Sequence, residues 1–405
     1  MRVGVYLGGQ GPDSGGGYTF QSDIFAAFAS SATTSRHNFV VFVDEDLAGA
    51  ARDLLVDTDV KVVPMRRVGF FDRIAAMLQR DFAFVRVNWS RAGRLQKLAR
   101  RHGIEYMWFL SSDCHLLDMP YMAVVWDLQH RTLPWFPELT ANGEYDAREA
   151  SNSWFLRRAS AVVTGTRVGA AELERYYQIT PECIKILPHP TPSYALKASG
   201  VPADNESIAR VLRAYGIGGD YLVYPAQFWA HKNHANLLKA MALVHRELQR
   251  PIELAMVGGD KGNRGYCEKL VASLGLSGTC HFLGFVPRDD LIDLYRGAVA
   301  LVYPSFGGPE NLPPLEAFAL ECPVLAADVP GAREQLGDCA AFFDPRNPSQ
   351  IAEAINALSG DADARAPMVA RGKVRAAGWD GRDFVKGVFD LLDEFESVRC
   401  AWGAE

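Results

Sequence analysis

The chain alternates short apolar runs with longer stretches in which apolar residues recur every three to four positions. In the first half the runs are Val3–Leu7, Phe39–Val43, Val60–Val63, Tyr121–Val125, Ala161–Thr164 and Ile184–Leu187. In the second half they are Tyr221–Tyr224, Ile252–Val257, Cys280–Leu283, Val299–Val302, Val324–Ala326 and Ala340–Phe343. Unbroken apolar runs of this length predict strands buried on both faces, and helical stretches between them predict parallel βαβ units. Two such series predict an α/β chain of two doubly wound domains. Pro188-His-Pro-Thr-Pro192 and the residues up to about Asn205 read as the linker. Phe384, Val388, Leu391, Leu392 and Phe395 share one face of a last amphipathic helix.

Composition narrows the class. A length of 405 residues suits two domains of ordinary size. A net charge of −6 offers no bulk attraction for nucleic acid, so no such partner is expected. The seven cysteines are scattered singly without Cys-x-x-Cys, which reads as reduced thiols in a cytoplasmic protein. The apolar part of Met1-Arg-Val-Gly-Val-Tyr-Leu-Gly-Gly9 is shorter than a signal peptide requires, and no run reaches membrane-spanning length. One region reverses the overall charge. Arg66, Arg67, Arg73, Arg80, Arg86, Arg91, Arg94, Lys97, Arg100 and Arg101 face only Asp72 and Asp81, with Phe70, Phe71, Trp89 and Leu95 among them. This stretch, 66–101, reads either as a peripheral contact with an anionic membrane or as a solvated helix face.

The candidate chemistry lies mainly in the second half. After Val299–Val302 comes a Pro/Gly turn, and Pro313 and Pro314 then open a helix. The amides around Asn311 and Leu312 would face an anion at the positive end of that helix. Glu316, expected in its first turn, suits a ligand that also carries hydroxyl groups. A nucleotide sugar has both features, a diphosphate and a ribose diol. Lys232, in Tyr224-Pro-Ala-Gln-Phe-Trp-Ala-His-Lys-Asn-His234, stands at another helix start, where the dipole disfavours a cation unless an anion is bound; the plainer reading is a solvated lysine. His231 and His234 have the spacing of a metal pair but lack a third ligand nearby. The loop Gly8–Gly17 reads as a phosphate-facing turn or a flexible one. It departs from the dinucleotide fingerprint at Ser14, although Asp44 and Glu45 follow the next strand.

The segment Pro304-Ser-Phe-Gly-Gly-Pro-Glu-Asn-Leu-Pro-Pro-Leu-Glu316 resembles the donor-binding motif of retaining GT-B glycosyltransferases of the family 4 type, the glycosyl transferases group 1. That motif carries two Glu residues eight positions apart. Glu316 matches the second; Gly308 stands at the first, with Glu310 two residues on. The family's Arg and Lys after the first strand of the second domain correspond to Gln227 and Lys232. Its paired glycines correspond to Gly16 and Gly17, and its His-Asp to Trp126 and Asp127, with His130 available as a substitute imidazole. Val257-Gly-Gly-Asp-Lys-Gly262 and His281-Phe-Leu-Gly-Phe-Val-Pro287 resemble the turn and the strand that face the donor, placing Gly258, Phe285 and Val286 there.

The resemblance implies a GT-B fold, two Rossmann-like doubly wound domains facing a central cleft. Residues 1–195 plus 376–405 would hold the acceptor and 205–375 the nucleotide sugar. It implies donor contacts from Gly16, Gly17, Gln227, Lys232, Gly258, Phe285, Val286, Asn311, Leu312 and Glu316, and catalytic roles for Asp127, His130 and Glu310, without a metal. The implied reaction is sugar transfer from a nucleoside diphosphate to a glycan or glycolipid acceptor in surface polysaccharide or lipopolysaccharide assembly, at the inner face of the membrane. Departures at Gly308, Gln227 and Trp126 keep open a GT-B protein that binds without transferring. An epimerase or a phosphorylase on the same architecture is a further alternative.

Overall fold

The computed structural model describes residues 1–8, 15–66, 69–70, 74, 90–247, 252–359 and 362–403. These form two compact units: Met1–Leu128 with Asp146–Pro188 and Gly381–Glu405, and Gln129–Tyr145 with His189–Asp380.

The first unit is built on a parallel sheet of seven strands: β1 (Arg2–Leu7), β2 (Asn38–Asp44), β3 (Lys61–Met65), β4 (Tyr106–Phe109), β5 (Tyr121–Val124), β6 (Ala161–Thr164) and β7 (Ile184–Ile186), in the order β3-β2-β1-β4-β5-β6-β7. The second has β8 (Tyr221–Pro225), β9 (Glu253–Val257), β10 (Cys280–Gly284), β11 (Ala300–Tyr303), β12 (Val324–Ala327) and β13 (Ala340–Phe343), in the order β10-β9-β8-β11-β12-β13. Every twelve of the expected strands has a counterpart with ends shifted by two residues or fewer. The additional strand is β4, whose Tyr-Met-Trp-Phe is fully buried.

Both sheets reverse direction of winding after their third strand: neighbours are added outward from β1 through β2 and β3, then on the other side from β4. The same happens around β8. In such sheets the crevice outside the carboxyl ends of the two central strands is where ligands bind. The switch points therefore lie at β1/β4 in the first unit and at β8/β11 in the second.

Each unit has its own core. In the first, helix Gly16–Ser31 packs against the last helix, Gly381–Arg399, with Phe20 meeting Phe384 edge to face at 5.5 Å. The start of that first helix lies two residues before the expected Tyr18. The segment Gln129–Tyr145, which the sequence assigns to the first domain, is part of the second unit. Aromatic packing and a buried carboxylate hold it there: Phe136 lies 5.5 Å from Phe306, and Glu138 accepts two hydrogen bonds from His231.

Candidate functional site

At the β8/β11 switch point a lysine is tethered by neutral groups. β8 ends at Pro225, and after a short turn the single-turn helix Ala230–Lys232 leads to Asn233 and the helix His234–Glu247. Asn233 adopts φ +60, which asparagine tolerates better than most residues, and its buried amide donates to the carbonyls of Pro304 (2.9 Å) and Pro345 (2.7 Å). The Tyr224 hydroxyl donates to the Lys232 carbonyl at 2.5 Å. These bonds fix the Lys232 backbone against the loop after β11. Its Nζ donates to the Tyr303 hydroxyl (3.0 Å) and lies 3.5 Å from Asn311 Oδ1, while Tyr303 donates to the same Oδ1 at 2.9 Å. Among the described residues Lys232 has no carboxylate within ion-pair distance. A cation at this place, held by a phenol and an amide rather than neutralised, is suited to an anionic ligand.

The loop that carries Asn311 is rigidly specified. The Asn311 N–H donates to Gln335 Oε1 (3.0 Å) and the Gln335 amide donates back to the Asn311 carbonyl (2.9 Å). The Asn311 backbone amide is thus engaged, and it is the side chain of this residue that reaches Lys232. Gly308 has φ +101, and a Cβ there would stand 2.8 Å from Asn311 Oδ1. This is the physical reason for glycine where the resembled motif has glutamate: a side chain would displace the amide that bridges Lys232 and Tyr303.

The two carboxylates of the loop and helix have different surroundings. The helix spans Leu312–Ala319, beginning one residue before Pro313, so Glu316 lies beyond its first turn rather than within it as expected. Glu316 is buried and accepts a 2.7 Å hydrogen bond from Tyr295, whose phenol is pushed well above its ordinary value by burial and by the Glu316 charge. The Glu310 side chain is only 2% exposed. Its Oε1 accepts the His189 N–H at 2.6 Å, and its Oε2 lies 3.8 Å from His189 Nε2. Burial pushes the Glu310 carboxyl up to about 8; the His189 amide opposes this and the Glu334 charge adds to it.

Next along the sheet edge, β9 is followed by Gly258, whose N–H donates to the Gly284 carbonyl at the end of β10 (2.8 Å). Phe285, just after, is 85% exposed, whereas the Val286 side chain is in the core and could offer a ligand only its backbone. Gly258 has φ +152, and a Cβ there would lie 2.8 Å from the Gln227 nitrogen and closer still to the Ala226 carbonyl. Alanine at 258 must therefore push apart the two turns after β8 and β9. We expect a loss of about 2–4 kcal/mol in denaturant unfolding; an unchanged midpoint would show that the turns relax freely. Gln227 accepts a 3.1 Å bond from the Trp229 indole, and Lys261 stands over the Trp229 ring with Nζ 5.6 Å from its centroid. Lys261 brings a cation to the Gln227–Trp229 turn. Only the spatial neighbourhood of β8 and β9 could reveal it.

The two histidines do not form a metal pair. His231 Nδ1 is bonded to Glu138 Oε1 at 2.6 Å. His234 is fully buried, stacked on Phe228 at 4.2 Å, and burial drives it down to about 3, so it stays neutral. Hydrogen bonds from His231 hold Glu138 below the usual carboxylate range against the opposing effect of burial. In the first unit, His37, Asp393 and Glu396 lie close enough together to suggest a cation site, but the Arg36 guanidinium already bridges the two carboxylates at 2.7 and 2.9 Å.

The other expected residues are divided between the units. Gly16 and Gly17 open the first helix behind Gly15, which has φ +63; positions 9–14 of the glycine loop lie outside the described residues. Asp127 is in the first unit, with Arg148 Nη1 3.7 Å from its Oδ1. His130 is in the second, buried with its ring 5.6 Å from Tyr145. Asp44, considered as a ribose acid, is instead paired with Arg91, which also donates to the Tyr6 hydroxyl at 2.7 Å. Of the basic stretch, Arg67, Arg73, Arg80, Arg86, Phe71 and Trp89 lie outside the described residues. Arg91 turns inward and Leu95 is core, because the helix Arg91–Arg101 is amphipathic; Lys97, Arg100 and Arg101 are exposed.

Comparison with known proteins bears on the second unit most directly. Residues 215–375 match the family model described as Glycosyl transferases group 1. A D-inositol 3-phosphate glycosyltransferase of Nocardia farcinica is 28% identical over 269 residues, covering 64% of this chain and 58% of that protein. The O-antigen chain mannosyltransferase B of Escherichia coli is 29% identical over 226 residues, 55% of this chain and 57% of that one. The match thus spans little more than half the length of these curated relatives. The Anabaena protein Alr3699/HepE, solved in complex with UDP and glucose, superposes with a TM-score of 0.69 at 15% identity over 97% of this chain and all of the other. The chain has the GT-B fold, and the glycosyl transferases group 1 match covers the part of its second unit that carries Lys232, Asn311 and Glu316.

Proposed function

We propose that this chain is a retaining glycosyltransferase that moves a sugar from a nucleoside diphosphate to an acceptor hydroxyl. The observation that carries the reading is Lys232, a cation without a carboxylate partner among the described residues, held by Tyr303 and Asn311 at the switch point of the second sheet. In the reaction the bond from the anomeric carbon to the diphosphate oxygen breaks and the acceptor oxygen bonds to that carbon. The acceptor's proton passes to the leaving phosphate, and both events occur on one face of the sugar. The task of the protein is to stabilise the charge gathering on the diphosphate. Lys232 would do so, with the backbone N–H of Leu312, which precedes the two prolines that have none, and the neutral donor Gln227. Glu316, kept in place by Tyr295, would take the ribose hydroxyls, and the exposed ring of Phe285 would lie against the base. Gly16, Gly17, Asp127 and His130 are assigned to sugar and acceptor, and Glu310 to the shape of the loop. No metal is required in this scheme.

Lys261 adds a second, exposed cation where Gln227 offers none. The Lys261→Ala variant is expected to bind nucleoside diphosphate about threefold more weakly, with a shallower dependence on salt. Isothermal titration at two salt concentrations checks both.

The curated relatives include an O-antigen mannosyltransferase, which supports a glycan or glycolipid acceptor in surface polysaccharide assembly. No helix among the described residues is long and apolar enough to cross a membrane. We assign a cytoplasmic site of action, with the exposed Arg100 and Arg101 turned to an anionic inner leaflet. The deciding experiment is a thermal-shift screen over nucleoside diphosphates, in which a ligand at about 100 times its Kd adds about 2.7 kcal/mol. It is followed by detection of nucleoside diphosphate release and sugar on an acceptor. Binding without transfer would favour the second reading, a non-catalytic GT-B protein. The burial of Glu310 against His189, with glycine at 308, favours that alternative.

A further inference from the structure

The segment Gln129–Tyr145 presents a tryptophan whose exposure the fold does not explain. Trp135 is 69% exposed, although its neighbours in the segment are firmly anchored. Its ring lies 6.3 Å from that of Phe136, which in turn packs on Phe306 (5.5 Å) and His231 (6.2 Å). Glu138 accepts from both the N–H and the Nδ1 of His231, the residue before Lys232. On the other side, Gly307 has no room for a Cβ, which would stand 2.6 Å from Leu133 and 3.1 Å from Gln129. The segment is thus clamped on the same loop that carries Asn311, and Trp135 stands two packed rings from Lys232's neighbour.

We propose that Trp135 is a stacking platform for a neutral pyranose ring of the acceptor, a role that rests on the donor-site reading above. The indole face is electron-rich, and the C–H bonds on one face of a pyranose carry partial positive charge, so the two attract when stacked. Such a platform needs an aromatic plane that is rigid and open to solvent, and the Phe136–Phe306 packing supplies the rigidity. An anionic bilayer is a poorer occupant, because the segment carries two carboxylates, Glu138 and Glu144, against one guanidinium, Arg131. The order of groups along the sheet edge agrees. Phe285 follows β10, Gly258 follows β9, Lys232 follows β8, and Phe306 and Asn311 share the loop after β11, so Phe136 and Trp135 join the edge at the loop that reaches Lys232.

The test uses the full chain and its Trp135→Ala and Trp135→Phe variants. Saturation-transfer NMR is recorded with methyl α-D-mannopyranoside and methyl α-D-glucopyranoside on protein saturated with the nucleoside diphosphate that gives the largest thermal shift. A parallel arm measures flotation with phosphatidylserine vesicles. We expect ring-proton saturation with the unmodified chain, about tenfold weaker sugar binding in the alanine variant, and most of the signal retained in the phenylalanine variant. Nucleotide thermal shifts should be the same in all three. Equal saturation with and without the indole, or no saturation with any form, would overturn the platform. So would loss of vesicle binding as the sole consequence of the alanine change. If no nucleoside diphosphate shifts the melting of any form, the donor reading fails. The sugar arm, run without nucleotide, then still judges Trp135.

Discussion

Alanine at position 232 is expected to lower turnover about a hundredfold or more while leaving the fold nearly as stable. Removing one preorganised group that faces developing charge typically lowers the rate by about 100- to 1,000-fold, and among the described residues Lys232 is the cation bonded to the Asn311–Tyr303 pair at the switch point. Stability should change by only about 1 kcal/mol, from lost packing of the side-chain stem and its contact with the Tyr303 ring. The reason is that Tyr303 keeps its own bond to Asn311, so no buried hydroxyl is orphaned. Glu316→Ala should act in both ways: it removes the proposed ribose acceptor and leaves the buried Tyr295 phenol only the distant Pro313 carbonyl at 3.4 Å, at about 1–3 kcal/mol. Glu310→Ala should weaken donor use least of the three, since its carboxyl is turned to His189. Steady-state kinetics with melting curves on the three variants separates these effects. Three equal and negligible changes in turnover would remove the basis of the donor site.

The second large effect is on stability against pH, and it comes from Glu310. Its carboxyl is raised from 4.5 to about 8, so between those values the folded chain keeps a proton that the unfolded chain has released. The associated stability is present in full below about pH 4.5, declines as pH rises through the window, and levels off above about pH 8. The swing is on the order of a few kcal/mol. Glu310→Gln keeps the shape and an oxygen for the His189 amide but has no proton to lose. It should match the parent near pH 5 and exceed it near pH 8–9. Denaturant midpoints across that range decide the matter, and parallel curves for the two proteins would show that Glu310 stays charged in the fold.

Much of the architecture was legible before any coordinates. Twelve of the strands, the parallel winding and the place of the last helix follow from apolar runs, because a strand buried on both faces must be apolar at every position. The sequence also singled out Lys232 and Glu316 as candidate chemistry, since a lysine at a helix start and a carboxylate near an expected anion site are locally unfavourable without a ligand. β4 escaped, although its Tyr-Met-Trp-Phe is as apolar as the runs read as strands. So did Tyr303, Tyr295 and Gln335, whose importance lies in contacts across 8 to 71 residues of sequence.

By itself, then, the order of residues determined which segments become strands and how they wind, because those depend on local propensity and on whether both faces of a segment are apolar. Only the tertiary structure decided that Gly308 must stay free of a side chain to spare Asn311, and that Glu310 is buried against His189. It alone decided that Gln129–Tyr145 packs on the loop after β11 and leaves Trp135 in solvent. Each of these depends on groups distant in the chain competing for the same few ångströms, and no local pattern records the outcome.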